Sequence, residues 1–298
     1  MKYTNTLFLT FLFFALSASA QLQIGLKIPA VKLIQYEPVP AELTIVNNSG
    51  TQLIFGSKKL SGHVEFLIID RFDRVIKSFK ETAQLRAKKV GKKTKKDVFN
   101  PAKGLILGAG ETKTLKLTLN KHFPLSRAGE YKIIARIRHQ KLGRYFFETK
   151  PQRLAVERGV QEAHKGFGVP DPTDTNKIIP RQYSIMSYQK ETGDIFTIKI
   201  YDKNFIYAVH RLGPKVSGIS ITHNVDAFSN IHTLVQMKPK IFRHTIFTNK
   251  GKIKQEKYYK ASFDFSPQLH RDTNLGKVSI IRGIPAVEGV DYNPSDFN

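Results

Sequence analysis

Two runs in the middle of the first half alternate between apolar and polar residues. Leu115, Leu117 and Leu119 fall on one side, with Lys116 and Thr118 on the other; Tyr131, Ile133, Ala135 and Ile137 do the same against Lys132, Arg136 and Arg138. A period of two is the signature of a half-buried strand, and a helix would scatter these residues around its whole circumference. Pro124 and Gly129 mark the connection between the runs. Such a pair buries its apolar face only against another sheet, so it commits this part of the chain to an antiparallel β architecture.

The pattern recurs in both directions. Strands are expected over residues 31–35, at Ala41, Leu43 and Ile45, at Val64, Phe66 and Ile68, over 74–79 after the turn Asp70–Asp73, over 105–107 and over 144–149. Asn47-Asn-Ser-Gly50 reads as a turn; Asn47-Asn-Ser49 also matches a glycosylation acceptor, and the turn is the simpler reading. Seven or eight short strands without a helical period point to an antiparallel sandwich. Residues 156–180, with Gly159, Gly166, Gly168, Pro170, Pro172 and Pro180 among Asp171, Asp174 and Asn176, read as a polar linker. Alternation resumes at Phe196, Ile198 and Ile200, at Phe205, Tyr207 and Val209, at Ile231 to Met237, and over 241–247, 254–259 and 277–281. The expected organisation is therefore a leader over 1–20, a β-sandwich domain over 21–155, a linker over 156–180, a β-rich domain over 181–284 and a tail over 285–298.

Gly129-Glu-Tyr131, opening a strand, resembles the tyrosine corner of immunoglobulin-like sandwiches. The Cys and Trp of antibody domains are missing, so the likeness is to the broad Ig-like architecture. In the second half, Asp226 with Asn230-Ile-His-Thr-Leu234, Phe242, Asn249-x-Gly251, Tyr258-Tyr259 and Gly276-Lys-Val-Ser-Ile280 resemble a module of uncharacterised secreted bacterial proteins. Their strands are similar to the blade strands of sialidase-like β-propellers, and Asp202–Val209 echoes Asp226–Val235. The resemblance implies an all-β chain whose second domain is a meander, propeller-like or a sandwich. It implies no activity at any named residue.

Residues 1–20 have the form of a secretory signal: Lys2, an apolar stretch over 7–16, and Ala18-Ser-Ala20. The apolar stretch is shorter than the roughly 20 residues needed to cross a bilayer. No later run approaches that length, so no membrane span is expected after cleavage. The expected address is the periplasm, the cell surface or the extracellular space. Exported protein should then begin at Gln21, and an intact-mass measurement that finds residues 1–20 retained would overturn this reading. The chain contains no cysteine, which excludes disulfides, thiol nucleophiles and Cys-ligated metals.

Lys and Arg number 48 against 24 Asp and Glu, a formal charge of +24. The excess is uneven: residues 21–155 hold 27 basic and 10 acidic residues, and 156–298 hold 20 and 14. The densest run is Arg86, Lys88, Lys89, Lys92, Lys93, Lys95 and Lys96, with no acidic residue inside it. Mutual repulsion and Gly91 disfavour a packed helix, so this run reads as an extended exposed loop, a candidate polyanion-binding element or simply a solubility device.

The nine His residues include His223 near Asp226, and His232 and His244, which approach only if neighbouring strands pair in register. Their spacing lacks a metal-ligand pattern, so the expectation is structural histidines and no metal. Asp202 and Asp226 are the candidate carboxylate pair for glycoside hydrolysis, but each sits where Asp usually bonds its own turn. Tyr207, Phe242, Phe247, Tyr258 and Tyr259 read as core, with a sugar- or base-stacking platform as the alternative. No cofactor motif is present. The function expected is a non-catalytic extracytoplasmic binding protein with a basic surface, its partner an acidic polysaccharide or anionic envelope surface, with non-specific nucleic acid as a competitor. The alternatives are a secreted hydrolase or accessory subunit acting on an acidic polysaccharide, and a structural envelope component.

Overall fold

The computed structural model describes residues 21–56, 62–83, 99–174 and 176–297. The expected leader over 1–20 and the cationic run over 86–96 lie outside the described residues. The chain divides into two compact units. Of the described residues, one comprises those within 21–31, 39–125 and 129–155; the other comprises those within 32–38, 126–128 and 156–297. The protein is all-β, with several antiparallel sheets.

The strands up to residue 157 are β1 (Leu22–Lys27), β2 (Lys32–Ile34), β3 (Pro40–Asn47), β4 (Leu53–Ile54), β5 (His63–Asp70), β6 (Ile106–Leu107), β7 (Thr112–Thr118), β8 (Gly129–Arg138), β9 (Phe147–Glu148) and β10 (Gln152–Glu157). In the first unit, β1-β3-β7 form one sheet; β10, β8 and β5 lie side by side in another, with β9 also paired to β8. Alternation decides which face is buried. Tyr131, Ile133, Ala135 and Ile137 of β8 are all buried, set opposite Asp70, Ile68, Phe66 and Val64 of β5. On the outward face Arg136 meets Glu65 at 2.6 Å and Glu148 at 3.6 Å. Leu43 and Ile45 of β3 are fully buried, whereas Leu115 and Leu117 on the edge strand β7 are only half-buried.

Asn47 shows why its turn forms. Its amide nitrogen donates to the carbonyls of Thr51 at 2.7 Å, Leu107 at 3.1 Å and Gly108 at 2.8 Å, and its oxygen accepts from Ser49 N–H at 3.1 Å. The residue is fully buried, so the folded protein offers no acceptor amide for glycosylation. The strand expected over 74–79 is not formed. Ser78 and Glu81 build a capping box: Glu81 N–H donates to Ser78 Oγ at 3.2 Å, Ser78 N–H donates to Glu81 Oε2 at 2.8 Å, and residues 79–83 are helical.

The strands of the second unit are β11 (Val160–Pro170), β12 (Ile178–Lys190), β13 (Gly193–Tyr201), β14 (Ile206–Pro214), β15 (Thr222–Val225), β16 (Ile231–Lys238), β17 (Ile241–Phe247), β18 (Ile253–Ala261), β19 (Gln268–Arg271), β20 (Val278–Ile281) and β21 (Gly283–Pro285). They form two meanders, β11-β12-β13-β14 and β15-β16-β17-β18-β21, plus the hairpin β19-β20. One apolar cluster joins the two sheets: Tyr183, Ile185, Phe196, Ile198, Ile200 and Leu212 from the first pack with Val225, Ile231, Val235, Met237 and Phe247 from the second. The arrangement is a face-to-face sandwich of meanders.

Two expectations are corrected here. Residues 156–180 are not a linker: β11 and the start of β12 occupy most of them, paired from Val160↔Ser187 to Pro170↔Ile178. β11 is an edge strand with mostly exposed side chains, which tolerates the polar, Gly-rich composition that made it look unstructured. Nor is 285–298 a loose tail. Tyr292 and Phe297 stack on Tyr258 with centroids at 4.2 and 5.3 Å, and Asp291 and Asp296 pair with Lys260 at 2.9 Å and Lys238 at 2.8 Å.

Candidate functional site

The richest polar constellation lies on the face of β16 and β17 away from the shared core. In an antiparallel pair His232 stands opposite Ile246, and His244 stands opposite Leu234, so the two histidines are diagonal neighbours on one face. His232 Nδ1 lies 3.1 Å from His244 Nε2, and His232 Nε2 lies 3.2 Å from Asp226 Oδ2. Both rings are about 95% buried and nearly parallel. The carboxylate fixes the tautomer: His232 donates its Nε2 proton to Asp226, its Nδ1 accepts, and His244 donates from Nε2.

Burial pushes both imidazoles below their ordinary range, His244 to about 4, with the neighbouring ring adding to the effect; for His232 the Asp226 carboxylate opposes burial without overcoming it. Burial alone would raise Asp226, but donors from Asn230 and His232 outweigh it and hold the carboxyl low. Asp226 and His244 sit on opposite nitrogens of the same ring, so the three groups form a line and cannot converge on one ion. Among the described residues no group of three or more His, Asp or Glu is placed to hold a metal. His223 does not join this line; its Nδ1 lies 2.7 Å from the Tyr183 hydroxyl.

The turn reading of the two aspartates fits their bonds. Asp202 Oδ1 accepts from the N–H groups of Asn204 and Phe205, both at 2.8 Å, and its other oxygen accepts the Tyr207 hydroxyl. Asp226 Oδ1 accepts from Phe228 N–H at 2.9 Å and Asn230 N–H at 2.8 Å. Both carboxylates are occupied in closing hairpins. Asp171 and Asp272 do the same at the β11–β12 and β19–β20 turns, so the echo between Asp202 and Asp226 is a shared turn chemistry.

The aromatic set divides. Phe242 and Phe247 are buried, and Tyr207 lies under the Arg181 guanidinium at 3.7 Å. Tyr258 and Tyr259 instead line an open groove of about 590 Å³ together with Glu256, Lys257, Glu288 and Tyr292. Burial raises the pKa of all three tyrosines, and Glu256 and Glu288 add to it at Tyr292. Glu288 and Tyr292 were missed in the sequence because they fall in the segment read as a tail. The aromatic spacing of Tyr292 and Phe297 was the available signal. The first unit has a cleft of about 380 Å³ in which Arg71, Lys132 and Arg153 are matched by Asp70, Asp73 and Glu130, so it carries no cationic excess. None of the candidate polyanion ligands, Arg86, Lys88, Lys89, Lys92, Lys93, Lys95 and Lys96, is among the described residues.

No family model matches the chain, and no curated protein matches it. Among solved structures, the crystal structure of S. aureus TarS 217-571 aligns with 91% of this chain and 58% of that chain, at 10% identity and a TM-score of 0.19. The chain thus spans less than two thirds of that structure, and a likeness at this level carries no argument about fold or function.

Proposed function

We propose that this is a non-catalytic, exported binding protein that engages polyanions, acidic polysaccharide or the anionic envelope surface, through the cationic excess of its first half. An Ig-like sandwich carrying the basic run and a second β domain with blade-like meanders belong to the same reading. The observation that carries it is the imbalance of 27 basic against 10 acidic residues over 21–155, with seven cations in 86–96. Pairing cannot cancel it. Glu65, Asp70, Glu111 and Glu148 already serve Arg136, Arg74 and Lys113, and full use of every carboxylate still leaves a large surplus. Such a surplus binds polyanions by releasing their counterions, without reading their sequence or linkage. The occupied state of Asp202 and Asp226 supports binding over hydrolysis, which requires two carboxylates open to substrate.

Replacing Lys92, Lys93, Lys95 and Lys96 together with Gln is expected to lower the salt needed to elute the protein from a heparin column. It should also flatten the log-affinity against log-salt slope by about 3. Elution of the folded quadruple variant at the parent's salt concentration would refute the proposal. Tighter retention on duplex DNA than on heparin at equal salt would move the assignment to nucleic acid.

A further inference from the structure

We infer that the groove beside β18 binds the pyranose rings of an uncharged glycan. It has the wrong sign for a polyanion: two carboxylates, Glu256 and Glu288, and one ammonium, Lys257, line it in a chain of formal charge +24. Glu288 is exposed and makes no ion pair among the described residues, while Glu256 accepts the Tyr258 hydroxyl at 3.1 Å and lies 3.7 Å from Arg243. Carboxylate acceptors, one ammonium donor and phenol hydroxyls that serve as both match the ring of hydroxyls on a sugar. Tyrosine rings match its apolar C–H face. A flat, charge-only anion site needs none of these.

The wall of the groove is held before any ligand arrives. Tyr259 pairs with Pro285 in the β18–β21 ladder, and Ala286 N–H donates to Tyr258 O at 2.9 Å. Gly289 N–H donates to Tyr292 O at 2.8 Å, and Asp291 is fixed by Lys260 at 2.9 Å and by Val287 N–H at 2.8 Å. The Tyr292 ring rests on Tyr258, centroids 4.2 Å apart. A rigid aromatic wall loses little conformational entropy on binding.

The site stands apart from the polyanion reading, and salt separates the two. In about 1 M NaCl the Debye length is about 3 Å, so counterion-driven binding disappears while stacking and short hydrogen bonds persist. The full chain would be titrated with cellohexaose and with chitohexaose at that salt, followed by calorimetry and by tyrosine emission, which no tryptophan masks. At least one hexasaccharide is expected to bind saturably. Tyr292→Ala should weaken it by about tenfold or more, Glu288→Gln by about threefold, and Tyr292→Phe should retain most of it. The quadruple lysine variant should bind as the parent does. Glu288→Gln, at an exposed carboxylate, keeps the test decisive if Tyr292→Ala does not fold. Absence of saturable binding by both sugars, or binding that Glu288→Gln and Tyr292→Ala both leave unchanged, overturns the inference.

Discussion

Glu37→Ala is expected to lower the stability of the second unit by about 3 kcal/mol, the cost of leaving a partly buried guanidinium without its partner. Glu37 is 8% exposed and sits on the short segment Lys32–Pro38, which belongs to this unit. Its carboxylate meets Arg211 Nε, accepts the Ile34 N–H at 3.1 Å, and lies at the limit of hydrogen bonding, 3.5 Å, from the Tyr188 hydroxyl. Around it, Ile34, Tyr188 and Val209 form a small apolar cluster of their own. Burial, with the Glu37 charge beside it, pushes the Tyr188 phenol up to about 12, so the phenol stays protonated through the ordinary range. Removing the carboxylate takes the ion-pair partner from Arg211 and an acceptor from the Ile34 N–H and the Tyr188 hydroxyl. Partial exposure of Arg211 lets water recover some of the loss, which places the figure at the low end for a broken buried pair. Glu37→Gln keeps an acceptor for Ile34 and should cost about half as much. Urea unfolding of the three proteins at neutral pH reads this directly. A midpoint for Glu37→Ala within error of the parent would show that the pair contributes nothing net.

The sheets were legible because one side of each strand meets the core and the other meets water. Tyr131, Ile133, Ala135 and Ile137 announce their burial through Lys132, Arg136 and Arg138 on the other side of the strand, where Ile134 is the one apolar exception. That signal weakens where the inner side is thinly apolar. In β11 the burial alternates over 163–170, but Ala163, Phe167 and Val169 share that side with Lys165. Its glycines read as flexibility when one of them is a packing requirement: a Cβ on Gly168 would lie 2.6 Å from Ile178 Cγ2 across the hairpin. Short-range competition explains the lost strand over 74–79: only a single bridge, Val75 to Ile69, forms before Ser78 and Glu81 cap each other and turn the chain into a helical turn. The histidine line was legible only as a condition. His232 and His244 are twelve residues apart, and nothing short of the register of β16 on β17 decides whether they meet on one face or point to opposite ones. The groove was hidden by its far wall, because Glu288 and Tyr292 acquire meaning only once β21 is docked on β18.

Stability is expected to fall by about 3 kcal/mol between pH 6.5 and pH 4 from His244 alone. Its pKa in the folded protein is about 4 against an ordinary 6.5, chiefly through burial and then through repulsion from His232 and Lys257. The folded chain therefore refuses a proton that the unfolded chain accepts. Its contribution is complete above pH 6.5, shrinks as the pH falls through that value, and is exhausted near pH 4. His63, His122, His139, His223 and His232 are all shifted in the same direction, with burial the largest cause at each, so they steepen the same slope. Asp226 acts in a lower window, because a depressed carboxylate gives its stability above the ordinary carboxylate range and loses it only as the pH falls through the folded value. His244→Gln isolates the dominant group: the side-chain amide can place a donor near His232 Nδ1, yet it does not titrate. Urea midpoints at pH 4.5, 5.5 and 7.5 should show the variant losing about 2 kcal/mol less than the parent across the range. Superimposable slopes would mean that His244 takes up its proton in the folded state as readily as in the unfolded one, and that the buried line with Asp226 and His232 does not hold it neutral.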